Sequence, residues 1–183
     1  MNITEMKKRI YALIDMPPLE DESALIAAIE SAARKIALYT KCIRKSAKIV
    51  FSAENSGAEA EIPADFAAFC YIKRGTRVYG RECFEITSGK IKSSALAGEC
   101  ELAYFAYPPA ADGGETELFA DEYICDTAVY GAAMDMLSAL RPADVQRYMR
   151  IATEYDERMA NMISGTGAGV ANAFFGGRGG AFI

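Results

Sequence analysis

The chain has 183 residues, 51% of them hydrophobic, and carries 20 Lys and Arg against 25 Asp and Glu for a formal charge of -5. That is enough chain for a domain with a real core, and too apolar a chain for wholesale disorder. It contains no histidine, which removes the Ser-His and Cys-His nucleophile pairs and the commonest metal ligand.

The first section reads as helical. Ile3, Met6, Ile10, Leu13 and Ile14 recur at helical spacing and predict a helix over 3–15. Met16-Pro17-Pro18 stops it, because proline disfavours helical geometry before it and lacks the amide donor. Asp21 or Ser23 can cap a second helix over 21–43, with Leu25, Ile29, Ala32, Ala33, Ile36 and Tyr39 or Thr40 on its apolar face.

The middle section, 47–107, changes to strand patterning. KIVFS, the turn ENSG and AEAEIP read as a hairpin over 48–63. AAFCYIKR, TRVYG, CFEIT and KIKSS follow as short strands, the last two around Ser88-Gly89. In ECELAYFAY, Cys100, Leu102 and Tyr104 share a face at period two, and Pro108-Pro109 ends the strand. These predict a small antiparallel sheet of five or six short strands.

Two long helices are expected next, over 121–140 and 142–163, joined by the elbow Arg141-Pro142-Ala143-Asp144. The first has Ile124, Thr127 or Ala128, Gly131, Met134 and Leu137 or Ser138 towards the core. The second carries the stripe Val145, Tyr148, Met149, Ala152, Tyr155, Met159, Met162 and Ile163, with Glu154 and Arg158 spaced for an ion pair. The fold class expected is α+β, mainly α. It is an antiparallel bundle of about four helices, with a small antiparallel sheet inserted between the second and third. Residues 1–163 form one domain and 164–183 an extended arm.

Few motifs point to chemistry. The five cysteines at 42, 70, 83, 100 and 125 are odd in number and lack a CxxC pair, so neither a disulfide framework nor a zinc site is expected. The basic stretch KCIRKSAK, 41–48, is too short for a nucleic-acid footprint and reads as a solvated face. Glu20-Asp21-Glu22, Asp121-Glu122 and Asp156-Glu157 sit at helix starts or on exposed faces, where carboxylates complement the helix dipole. No catalytic residue, metal or cofactor is expected. Nor is a membrane span, since no run of about eighteen apolar residues occurs, and the acidic N-terminus does not read as a signal peptide.

The last stretch, GTGAGVANAFFGGRGGAFI, holds seven glycines, three phenylalanines and one charge. Its glycines follow a helix, whereas a phosphate-binding turn needs them between a strand and a helix N-terminus. The single Arg178 supplies too little charge for an RGG-type RNA tail. Phe174, Phe175, Phe182 and Ile183 are costly to leave in water, and glycine-rich chain is costly to order alone, so a segment that folds against a partner satisfies both.

EIPADFAAFCYI, then GECELAYFAYPP, then ADEYICDTAVYGAAMDML resembles the head–tail connector (adaptor or head-completion) proteins of tailed bacteriophages. The matching residues are Pro63, Asp65 and Phe66 leading into a strand, Tyr104 and Pro108 ending a later one, and two helices after it, over roughly 20–163. The resemblance implies a non-enzymatic virion protein of the neck, made in the host cytoplasm. It implies a homo-oligomeric, dodecameric ring beneath the portal, a platform for the tail or stopper protein, and a channel that genomic DNA crosses without sequence-specific binding. Anchoring to the portal through the C-terminal segment would engage Phe174, Phe175, Arg178, Phe182 and Ile183. The alternatives are a tail-side neck or tail-completion protein, a bacterial scaffold unrelated to phage, and a small enzyme using carboxylate or Lys chemistry.

Overall fold

The computed structural model describes residues 1–54, 57–87, 89–94 and 96–175, with their side chains except at 53, 54, 57 and 165–175. In chain order the elements are α1 (Ile3–Ile14), α2 (Ser23–Thr40), β1 (Arg44–Glu54), β2 (Gly57–Glu61), β3 (Phe66–Arg74), β4 (Arg77–Tyr79), a 3-10 turn (Arg81–Cys83), β5 (Glu85–Thr87), β6 (Lys90–Ser93), β7 (Gly98–Ala106), α3 (Glu122–Leu140) and α4 (Val145–Phe175). They fall into two compact units: residues 1–40 with 109–183, and residues 41–108.

The first unit is helical. Asn2 and Glu5 form a reciprocal capping box at the start of α1, and Asp15 closes the helix in the left-handed region at φ 54 before the two prolines. Asp121 caps α3 through the amides of Tyr123 and Ile124. α3 packs against each of the other three helices, so it is buried nearly all round. Its inward residues are Cys125, Thr127, Ala128, Val129, Gly131, Ala132, Ala133, Met136 and Leu137. Gly131 marks the tightest approach: a Cβ there would lie 3.0 Å from the Tyr155 ring and 3.1 Å from the Ala32 Cβ.

α2 buries Leu25, Ala28, Ile29, Ala32, Ala33, Ile36, Ala37 and Thr40, while Tyr39 is exposed. On α4 the inward residues are Ile151 and Tyr155. Of the expected stripe, Val145, Met149 and Ile163 are 59%, 57% and 46% exposed. Tyr155 of that stripe is buried as expected, whereas Ile151, which the stripe left out, is the other inward residue. α4 continues as helix to Phe175, past the Gly165 stop expected from sequence. It has 31 residues against 19 in antiparallel α3, so about its last dozen extend beyond that partner.

The second unit corrects the expected architecture. It is a seven-stranded antiparallel sheet, in the order β4-β3-β7-β1-β2-β6-β5, curled into a half-barrel with its own core. The molecule is therefore not a helical bundle carrying a small inserted sheet. One source of the error is strand length: β1 has 11 residues, not five, and joins two subsheets. Its Arg44–Phe51 stretch pairs with β7, and Ser52–Glu54 with β2.

The curl follows from connectivity. β4 and β5 lie at opposite edges, yet only residues 80–84 join them. Seven strands laid flat would separate their outer strands by about 29 Å, but six residue steps reach at most about 22 Å. The sheet must bend, and two register shifts in β3 help it do so. Phe84 ends the short link and enters the core, with its ring 6.1 Å from that of Phe51 and 5.6 Å from that of Phe69. Gly89, at φ 81, turns β5 into β6.

Candidate functional site

The densest gathering of sequence-conspicuous residues is at the start of β3. Pro63 accepts from the Phe66 amide at 3.0 Å, so the Pro-Ala-Asp-Phe segment closes as a turn directly into the strand. Phe66 opposes Ala106 on β7, and its ring stacks on Tyr104 with centroids 5.8 Å apart. The Tyr104 hydroxyl donates to one Asp65 carboxylate oxygen at 2.9 Å, and Lys45 of β1 donates to the other at 2.6 Å. The Asp65 carbonyl accepts from the Tyr107 amide at 2.7 Å, just before buried Pro108. Four residues read from separate stretches of sequence, Pro63, Asp65, Phe66 and Tyr104, thus belong to one local device that ties β1, β3 and β7 together, and Pro108 follows it in sequence.

Its electrostatics suit fastening. Burial raises the Asp65 carboxyl pKa, but the hydrogen bonds from Lys45 and Tyr104 and the Lys45 charge outweigh it, leaving the group below its ordinary value. Burial, then the bond to Asp65 and its charge, push the Tyr104 phenol up to about 12. A tyrosine held protonated beside an ionised carboxylate is a donor, not a nucleophile. Lys45 was legible only as part of a basic stretch; its alignment opposite Tyr104 in the β1–β7 register is what brings it to Asp65.

A second feature escaped the sequence reading. The β3–β4 hairpin presents Lys73, Arg74 and Arg77, all exposed, and from Phe66 to Arg81 the chain has no Asp or Glu. The hairpin borders an open groove of about 540 Å³ lined by Lys48, Lys73, Arg74, Glu99 and Glu101. The signal was available as a charge run interrupted by strand residues.

In the helical unit, Arg158 of α4 lies between Tyr123 and Tyr130 of α3, 5.0 and 4.8 Å from their ring centroids, and binds Glu154 at 2.6 Å. Arg9 pairs with Asp126 and Glu122, joining α1 to α3. Arg147 donates to the Ile14 carbonyl at 2.8 Å, satisfying the end of α1. These contacts lock α1 and α4 onto α3, and Arg9, Asp126, Tyr130 and Arg158 border an open groove of about 310 Å³.

Of the docking residues expected from sequence, Phe174 and Phe175 fall on the backbone of α4, with side chains outside the described set. Arg178, Phe182 and Ile183 lie outside the described residues. Among the described residues no group of three or more His, Cys, Asp and Glu could hold a metal ion. No described helix is long and apolar enough to cross a membrane. No protein-family model and no curated protein matches the chain.

Proposed function

We propose that the protein is a structural head–tail connector of a tailed bacteriophage. Copies form a closed ring beneath the portal, extend the DNA channel and offer the tail or stopper protein a platform. The observation that carries the reading is the convergence of Pro63, Asp65, Phe66 and Tyr104 on one fastening between β3 and β7. These are four of the five residues that carry the sequence resemblance, which supports the reading. α3 and α4 follow β7 in chain order, as the resemblance implies. The reading rests on this device and no longer on a helical-bundle architecture, which the seven-stranded sheet replaces.

The formal charge of -5 suits a conduit that DNA must cross without sticking. The segment 165–183, with Phe174, Phe175, Arg178, Phe182 and Ile183, is the portal-docking part. It begins where α4 outruns α3.

The test is the mass of the purified protein, alone and after mixing with portal-bearing heads, for the full chain and for a chain ending at Ser164. The described core residues all precede that cut, Tyr155 being the last, so the shortened chain keeps its unfolding midpoint. Full-length protein binds heads and the shortened one does not. Normal binding by the shortened chain overturns the docking role. Indifference of both forms to heads overturns the connector reading and favours a tail-side component.

A further inference from the structure

Charge along this chain is segregated in a way that neither the fastening at Asp65 nor the helix locks consume. From Phe66 to Arg81 there are Lys73, Arg74, Arg77 and Arg81 and no acid; from Ser93 to Leu140 there is no Lys or Arg at all. Within the acidic span, the loop before α3 exposes Asp112, Glu115 and Glu117. Among the described residues, Lys73, Arg74, Arg77, Asp112 and Glu115 take part in no ion pair. Glu117 is 66% exposed, with only the terminal amine at 3.9 Å. The basic hairpin also includes the sheet's outermost strand: β4 pairs on one side with β3 and is terminal in the strand order, and its Val78 is 61% exposed. An open strand edge is a ready site for another chain.

We infer that the β3–β4 hairpin of one copy docks on the acidic 112–117 loop of the next, through Lys73, Arg74 and Arg77 against Asp112, Glu115 and Glu117. The occupant is a second copy because the chain itself supplies both halves, of opposite sign and on different segments. Two different patches in contact make a head-to-tail interface, which propagates until a ring closes. This deepens the ring reading and rests on it for closure. Exposed ion pairs are individually weak, so the interface depends on several acting together and on low ionic strength.

The experiment uses two full-length variants, Arg74→Glu with Arg77→Glu, and Asp112→Lys with Glu115→Lys. Circular dichroism and denaturation midpoints check that both fold. Self-association is followed by sedimentation without heads, at ~0.01 M ionic strength, where the screening length is about 30 Å, and at ~1 M, where it is about 3 Å. Wild type associates at low salt and dissociates at high salt. Each variant alone opposes like charges and associates at least about tenfold more weakly. Mixing the two restores association, because every contact in an alternating assembly then joins opposite charges.

A wild type that stays monomeric at low salt, variants that associate like wild type, or a mixture that fails to recover would each overturn the interface. So would retention of duplex DNA that the Arg reversals remove while no self-association occurs, which would make the hairpin a nucleic-acid contact. Binding of heads is a separate measurement. Its loss for wild type sinks the connector reading, whereas charge-insensitive assembly with head binding intact sinks only this interface.

Discussion

Replacing Tyr104 with Phe removes one hydroxyl and keeps the ring stacked on Phe66. The lost hydrogen bond runs to an ionised carboxylate, a class worth about 1.5–3 kcal/mol, and partial exposure of Asp65 places it near the lower end, about 1.5 kcal/mol. At pH 8 the wild type is more stable than Tyr104→Phe by about that amount. The difference then changes with pH in a defined direction. The phenol is pushed up to about 12 in the folded protein, against about 10 when unfolded. Its raised folded value means that stability is fully present below pH ~10 and is lost as pH rises towards ~12, because the unfolded chain releases its proton first. By pH ~11 the loss is about 1.4 kcal/mol, so the advantage over the Phe variant shrinks to about zero. Urea titrations of both proteins at several pH values from ~8 to ~11, read by far-ultraviolet circular dichroism, measure the difference and cancel every other titrating group. A difference that stays constant across this range would refute the coupling of Tyr104 to Asp65. A difference of zero at pH 8 would refute the fastening itself.

Two further substitutions test the two cores separately. Gly131→Val places a branched side chain where even a Cβ meets Tyr155 at 3.0 Å and Ala32 at 3.1 Å. Overpacking of that kind costs about 1–3 kcal/mol and outweighs the gain in helix propensity over glycine, so the denaturation midpoint falls. Phe84→Ala empties the contact with Phe51 and Phe69 at the link that holds the sheet edges together. A loss of about 3–5 kcal/mol is expected, read as a lower urea midpoint. An unchanged midpoint would mean that residues 80–84 do not hold the curl.

Local structure was largely legible. Pro17-Pro18 ended α1, Asp121 started α3, and Gly89 marked the β5–β6 turn, while Ser88 lies outside the described residues; capping, proline and turn chemistry act over a few residues. The faces of α1 and α2 followed from helical periodicity, with the choice between Tyr39 and Thr40 left open and decided for Thr40 by packing. On α3 the expected core positions Thr127 or Ala128, Gly131 and Leu137 are buried, but a helix buried nearly all round has no single apolar stripe, so Val129, Ala132, Ala133 and Met136 were not picked out. α4 misled for the opposite reason: Val145, Met149 and Ile163 make an apolar line that the helical unit leaves exposed.

What only the tertiary structure decided is which distant segments meet. Strand order is a long-range property, so nothing local told that β4 and β5 would be opposite edges of one curled sheet, or that Phe84 would join them through the core. Pro63, Asp65 and Tyr104 were conspicuous in the sequence, but Lys45 reached Asp65 only through the register of β1 on β7. The sequence by itself determined the elements, the absence of histidine and the segregation of charge; packing and strand pairing decided which of those residues act together.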